Sequence, residues 1–340
     1  MSALPPTTDD VPLWDLYLSL YRLPVVTVAD EVGTFAALSG QAMTTADLAL
    51  ALGVEPRALG IHLGLLAAMG FVERRLGLWR SSATARTWLH PEGGGYWGPL
   101  LFGYRHSQPL HAQLMATLKP EMKAQTHVSA VAEWERGEMD KDLADRIAAF
   151  MNSHSIAAAK AVARHPVFGQ IKSLLDIGGG SGVFSIETAR AWPALQASVL
   201  DIGAICVAAR GYIDAAGLSD RVRTLAVDMF RQDWPEGHDA LFFSNIFHDW
   251  SDDTCRLLAH KAFDALPPGG SILLHEILID DDGCGPLTAA AFSLLMLLGT
   301  KGKQYTLAEL TGFLEGAGFV DVGSSQTGGG AYSLVSARKP

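Results

Sequence analysis

Cysteine is scarce in this 340-residue chain. Cys206, Cys255 and Cys284 lie far apart and form no CxxC pair, which excludes a disulfide framework and suits a reducing compartment. Long apolar runs are missing too. Stretches such as Leu287 to Leu298 are short and contain polar breaks, too short to span a bilayer. Residues 1–10 are polar and proline-rich, with no basic region leading into an apolar core. No signal peptide is therefore expected, and a cytoplasmic location is. Basic residues are outnumbered, 26 Lys and Arg against 36 Asp and Glu, for a net charge of −10. Such a surface repels phosphate backbones and argues against nucleic acid as a partner. Charged residues make up only 18% and hydrophobic ones 49%, a balance that favours packed cores over disorder. No internal repeat or low-complexity tract is present.

The material that is present falls into two rhythms, as expected for a chain of two-domain length. Leu13 to Leu23, Val26 to Leu38, Thr45 to Leu52, Arg57 to Met69 and Leu143 to Ala163 place apolar residues at spacings of three and four, the period of helices. Thr44-Thr45 reads as a helix cap and Glu55-Pro56-Arg57 as the turn into the next helix. Two short strand-like pieces follow, Gly70 to Glu73 and Leu78 to Ser81. This order is that of a winged helix-turn-helix, which serves either DNA recognition or packing and dimerisation. The second helix of the pair, RALGIHLGLLAAM, offers one Arg and one His among apolar residues. A groove-reading helix needs more polar side chains than that, so the scaffold reading is preferred.

Near Lys172 the pattern changes. Strands are expected at Ser173–Ile177, Ala197–Asp201, Arg223–Val227, Ala240–Ser244 and Ser271–His275, with helices at 183–192, 204–216 and 253–265 between them. That alternation predicts a doubly wound, Rossmann-like α/β sheet with an N-terminal helical, winged-helix-like domain. The expected domains are 1–160 and 161–340. A helix at 307–317 and strands at 319–323 and 332–337 complete the chain.

Three carboxylates stand at successive strand ends. Asp176 precedes Gly178-Gly179-Gly180-Ser181-Gly182, Asp201 ends the next strand, and Asp228 ends the third and is followed by Met229 and Phe230. Glycines there let backbone approach a ligand, and strand ends of open sheets are where ligands bind. No clean GxGxxG is present, and a carboxylate before the glycines suits a ligand with an amino group and no pyrophosphate. Asp201 suits a ribose diol, and the apolar pair beside Asp228 suits an adenine ring.

With Asn245-Ile246-Phe247-His248-Asp249-Trp250-Ser251-Asp252, these segments make the whole chain resemble the small-molecule O-methyltransferases. That family includes caffeic-acid, acetylserotonin and bacterial natural-product enzymes. The resemblance implies S-adenosyl-L-methionine as cofactor, with Asp176, Gly178 and Gly180 at its methionine end, Asp201 at its ribose, and Asp228, Met229 and Phe230 at its adenine. Ser155 and Ser244 would join the cofactor site. Met151, Asn245, Phe292 and Met296 would meet a small-molecule acceptor. Homodimerisation through the N-terminal domain is implied as well, with no membrane and no nucleic acid as partner.

By the same resemblance His248 is the general base, with Asp249 beside it and Glu276 supporting it. Where the family carries a second acid, Gln304 stands instead, followed by Tyr305 in place of Arg. A Gln orients an imidazole but does not stabilise imidazolium by charge. Methylation at carbon or nitrogen, or a non-methylating descendant that keeps the cofactor, therefore stays open beside O-methylation. A metal held by His248, Asp249 and His275 is not expected, because His275 and Glu276 are strand neighbours facing opposite sides. His260 reads as structural. His106 and His111, near Tyr104 and Trp97, read equally as pocket or surface residues.

Overall fold

The computed structural model describes residues 10–340 apart from 93–95, 106–108, 120–133, 135, 138 and 329, and the side chains of residues 103 and 104. The expectations for the N-terminal nine residues, for His106 and for the Tyr104 side chain lie outside the described residues.

Two compact units are present: Met1–Val11, Ala130–Leu278 and Leu307–Pro340 form one, Pro12–Ser129 and Ile279–Thr306 the other. The chain passes between the units after residues 11, 129, 278 and 306, where one boundary, at residue 160, was expected.

The mainly helical unit contains α1 (Val11–Leu18), α2 (Arg22–Val32), α3 (Thr34–Gly40), α4 (Thr45–Leu52), α5 (Pro56–Ala68), the hairpin β1 (Val72–Arg75) and β2 (Leu78–Ser81), α6 (Ala83–Trp88), α7 (Gly98–Arg105) and α8 (Pro109–Leu118). The helix expected over 26–38 is two. Gly33, left-handed at φ 85°, stops α2, and its N–H bonds back to Ala29 and Asp30, the αL ending that glycine favours. Apolar spacing ran on because both helices bury residues in the same core.

The winged-helix order is present. Thr44 caps α4 by accepting from Asp47 N–H, Glu55 caps α5 with Pro56 in its first turn, and β1 pairs antiparallel with β2. The α5 face that would read a groove is buried: Ala58, Leu59, His62, Leu63, Leu65 and Leu66 face inward. It packs on α13 (Leu287–Gly299), an almost wholly apolar helix, and Arg57 donates to the carbonyls of Lys301 and Gly302. This contact draws residues 279–306 into the helical unit. Among the described residues no single helix is long and apolar enough to cross a membrane.

The other unit opens with α9 (Lys141–Val162), capped by Asp140. It continues as β3 (Ser173–Ile177), α10 (Val183–Ala191), β4 (Gln196–Asp201), α11 (Gly203–Ala215), β5 (Val222–Ala226), β6 (Ala240–Ser244), α12 (Asp252–Ala265), β7 (Ser271–Ile277), α14 (Leu307–Ala317), β8 (Val320–Gln326) and β9 (Tyr332–Arg338). Helix α9 packs on α10 and α11, so it belongs with the sheet. The seven-stranded sheet has the order β5-β4-β3-β6-β7-β9-β8. Strands β5 to β7 are parallel, while β8 and β9 form a hairpin whose β9 runs antiparallel to β7. The chain winds outward from β3 through β4 to β5, then restarts at β6, which makes β3/β6 the switch point where open sheets bind ligands.

Candidate active site

A cleft with about 930 Å³ of empty space, open solvent at its mouth included, lies at the C-terminal ends of these strands. Asp176, Gly178, Gly180, Asp201, Asp228, Met229, Phe230, Ser244 and Asn245 line it from the strand ends, and Met151 and Ser155 line it from α9. Every residue expected to hold the cofactor is thus at one cleft.

Steric geometry explains the glycines. Gly178 sits at φ +64°, and a Cβ there would meet Ile246 Cδ1 at 2.5 Å. A Cβ on Gly179 would stand 2.9 Å from both the Asp176 carboxylate and Val199 Cγ1. The N–H groups of Gly178 and Gly180 bond to Leu200 O (2.8 Å) and Asp201 Oδ2 (3.0 Å). The loop is therefore pinned to β4 with its backbone open to the cleft.

The cleft is acidic, and no Lys, Arg or His is among its described lining residues. Asp176 is buried and accepts a hydrogen bond from Ser185 Oγ at 2.7 Å. Burial pushes its carboxyl up to about 7, opposed by that bond and aided by the nearby Asp201. Asp201 accepts from the N–H groups of Gly180 and Ile202, and burial still raises it to about 6. Ser181 Oγ and Asn245 Oδ1 are buried with no hydrogen-bond partner among the described residues. Buried polar atoms are nearly always partnered. Carboxylates short of cations, a backbone cradle and unpartnered polar atoms together fit a zwitterionic amino-acid end joined to a cation.

Asp228 differs from the other two acids. Its Oδ1 accepts the N–H groups of Phe230 and Arg231, and Oδ2 meets Arg231 Nη1 at 2.9 Å. Its carboxylate builds the turn that presents Met229 and Phe230. The Phe230 ring meets Trp250 edge-on, with centroids 4.6 Å apart.

His248 and Asp249 lie on a 3-10 turn, Phe247–Asp249. Strand β7 runs two residues past its expected end, so Glu276 projects from the strand itself. Its Oε1 accepts the N–H groups of Ile246 (3.1 Å) and Phe247 (3.0 Å), and Oε2 stands 3.2 Å from His248 Nδ1. His248 Nε2 is 3.6 Å from Asp249 Oδ1. Burial raises both acids to about 8, with Asp249 adding to the rise of Glu276. Asp249 lines the cleft, whereas His248 and Glu276 are buried beside it. The helix-start acids of α12 are Asp252 and Asp253, behind a Ser251 cap, so Asp249 has no capping duty. His275 points away from Glu276, into a ring cluster with Phe184, Phe242 and Tyr332.

Gln304, Phe292 and Met296 belong to the helical unit and are buried there. Gln304 N–H donates to Ser293 Oγ at 3.2 Å, and Phe292 packs on Trp14. His111 is tied into that unit by Thr27 Oγ1 and Glu31 Oε2, both at 2.8 Å, a structural network. Sequence reasoning missed Ile147, Ile202, Ile205, Trp134 and Trp250 in the cleft. For Ile147 a signal existed: residues 147, 151 and 155 are spaced by four, one face of α9.

A family model described as an O-methyltransferase domain matches residues 111–320. The 3-hydroxy-5-methyl-1-naphthoate 3-O-methyltransferase of Streptomyces sahachiroi is 34% identical, over 91% of this chain and 89% of its own length. The chain belongs to the O-methyltransferase family. Two solved structures share the fold. An O-methyltransferase family 2 protein of Planctomyces limnophilus, in complex with apigenin, has a TM-score of 0.83 at 24% identity, covering 99% of this chain and 98% of its own. Human N-acetylserotonin methyltransferase, in complex with S-adenosylmethionine, has a TM-score of 0.58 at 21% identity, covering 99% of each chain. This protein is accordingly an S-adenosylmethionine-dependent O-methyltransferase acting on a small molecule, and its acidic cleft matches the charge of that cofactor.

Proposed function

We propose that this methyltransferase methylates a hydroxyl on a small aromatic, natural-product-like acceptor, with His248 as general base. The observation carrying the base is the 3.2 Å contact between His248 Nδ1 and Glu276 Oε2. A carboxyl beside Nδ1 is the kind of neighbour that orients a catalytic imidazole. Support for the acceptor class comes from relatives named for a hydroxynaphthoate and for acetylserotonin, and from the neighbour bound to apigenin.

The cofactor supplies an electrophilic methyl group for in-line displacement. In this reading Asp176, Gly178 and Gly180 hold its amino-acid end, Ser155 and Ser244 assist, Asp201 takes the ribose, and Met229 and Phe230 cover the adenine in the turn built by Asp228. Asp249 faces the cleft, where a carboxylate stabilises positive charge. Met151 and Asn245 are assigned to the acceptor. Alignment of donor and acceptor is the main catalytic contribution, on the order of 7–11 kcal/mol.

A panel of hydroxynaphthoates, flavonoids and aliphatic alcohols, with product and S-adenosylhomocysteine quantified together, tests this. Methylated phenols and S-adenosylhomocysteine in equal amounts are expected. Product methylated at carbon or nitrogen, or product without S-adenosylhomocysteine, would overturn it.

A homodimer is proposed through the helical unit, where Leu13, Leu16 and Leu20 follow helical spacing and are 69%, 69% and 57% exposed. Light scattering is expected to give twice the chain mass, falling to one chain mass for the Leu13→Glu/Leu16→Glu variant. A cytoplasmic location is proposed on the strength of the three free cysteines.

A further inference from the structure

Beneath the floor of the cofactor cleft lies a histidine with no role in the reading above. His275 is wholly buried on β7, directly across from Ser244 in the β6–β7 ladder. Its Nδ1 is 2.9 Å from Ser244 Oγ, and its backbone carbonyl accepts the N–H of Asn245 at 3.2 Å. Asn245 is itself left-handed at φ 56°, a conformation costly for a residue with a side chain. The imidazole is stacked on Tyr332, with centroids 4.6 Å apart and planes 13° apart, and is enclosed further by Phe184 and Phe242. Its Nε2 is buried with no hydrogen-bond partner among the described residues.

That asymmetry decides the tautomer. Burial keeps the ring neutral, its pKa down to about 3, so one nitrogen carries the proton. A proton on Nε2 would leave a buried N–H donor unpaired, which folded proteins almost never tolerate, whereas a bare acceptor is less costly. With the proton on Nδ1, the ring donates to Ser244 Oγ. The serine oxygen is then an acceptor toward His275, and its own proton is free to point into the cleft that Ser244 lines.

We propose that His275 is a positioning residue that fixes Ser244 as a hydrogen-bond donor to the carboxylate of the cofactor's amino-acid end. The inference rests on the reading of Ser244 as a cofactor residue. It also meets a need of that reading. Asp176 and Asp201 answer the positive charges of S-adenosylmethionine, but its carboxylate must find donors in a cleft whose described lining residues include no Lys, Arg or His. Ser181 Oγ, buried and unpartnered among the described residues, lines the same cleft and suits the second donor.

Two measurements test this. Nitrogen-15 spectra of selectively labelled protein report the His275 tautomer. The Nδ1–H form, unchanged from pH 5 to 8, is expected, and the Nε2–H form would overturn the proposal. Calorimetry then compares S-adenosylhomocysteine with 5′-methylthioadenosine, which lacks the amino-acid end. Ser244→Ala and His275→Phe should each weaken S-adenosylhomocysteine by about 10- to 100-fold, the range for a hydrogen bond to a charged group. Both should leave 5′-methylthioadenosine within about twofold, the doubled variant should add little to either alone, and His275→Asn, which keeps an N–H near the Nδ1 position, should recover most of the loss. If Ser244→Ala changes nothing, the cofactor role of Ser244 fails and the inference goes with it. If Ser244→Ala weakens binding and His275→Phe does not, the inference alone fails. If His275→Phe weakens both ligands alike, His275 is only a packing residue.

Discussion

Glu276 reaches His248 from strand β7 while anchoring the turn that carries it: one carboxylate oxygen accepts the N–H groups of Ile246 and Phe247, and the other lies 3.2 Å from His248 Nδ1. One side chain thus anchors the backbone before the imidazole and lies beside its Nδ1.

Removing the base should separate chemistry from binding. His248→Ala is expected to lower kcat by about 10²- to 10⁴-fold, the usual contribution of a positioned base. The calorimetric Kd for S-adenosylmethionine should stay within about threefold, since the imidazole is not in the cleft lining. Near-intact turnover would show that proton removal by His248 is not the mechanism.

Glu276→Gln keeps the shape and one acceptor oxygen but removes the titratable carboxyl beside Nδ1. Its kcat should fall by about 10-fold or more with KM little changed. A fall in KM matching that in kcat would instead indicate relieved strain in the bound substrate complex.

Asp201→Ala should weaken both S-adenosylmethionine and S-adenosylhomocysteine by more than about tenfold, because a charge-assisted contact is lost and Gly180 loses its acceptor. Circular dichroism should remain that of wild type. Unchanged affinity for both ligands would remove Asp201 from the ribose site.

Stability should fall as pH rises from about 6.5 to 8.5. Asp176, Asp249 and Glu276 are raised to about 7, 8 and 8, so in this window the folded chain binds more protons than the unfolded one. The slope of unfolding free energy with pH is then negative. His62 and His275, held down to about 4 and 3 by burial, act oppositely, but only below about 6.5. Melting of the ligand-free protein at constant ionic strength checks this. Saturating S-adenosylmethionine, a cation favouring the ionised acids, should flatten the decline. A melting temperature that climbs from 6.5 to 8.5 would refute it.

Gly179→Ala adds a methyl 2.9 Å from both the Asp176 carboxylate and Val199 Cγ1, with little room for either to move. Lower thermal stability and cofactor affinity reduced by more than about tenfold are expected from such overpacking. Wild-type values of both would mean the loop relaxes freely.

Much of the site was legible because it follows strand order. Asp176, Asp201 and Asp228 end successive strands, and a doubly wound sheet must bring those ends to one edge. The Thr44 cap and the Glu55-Pro56-Arg57 turn were equally readable, since each is written within four residues. Harder to read was the division of labour among the acids. Asp228 looked like Asp201 in the sequence, yet its carboxylate is consumed by its own turn with Phe230 and Arg231. Trp134 and Ile205 were not readable, because both reach the cleft from helices and neither stands at a strand end.

The sequence by itself determined the alternation of strands and helices, the glycine loop, the acidic strand ends and the family, because each is written in short-range spacing and residue type. Only the tertiary structure decided three other matters: that residues 279–306 pack with the N-terminal helices, that Glu276 rather than its neighbour His275 turns toward His248, and that His275 lies against Ser244 at the cleft. Each depends on contacts between residues distant in the chain, and burial and register, which set those contacts, are properties of the folded whole.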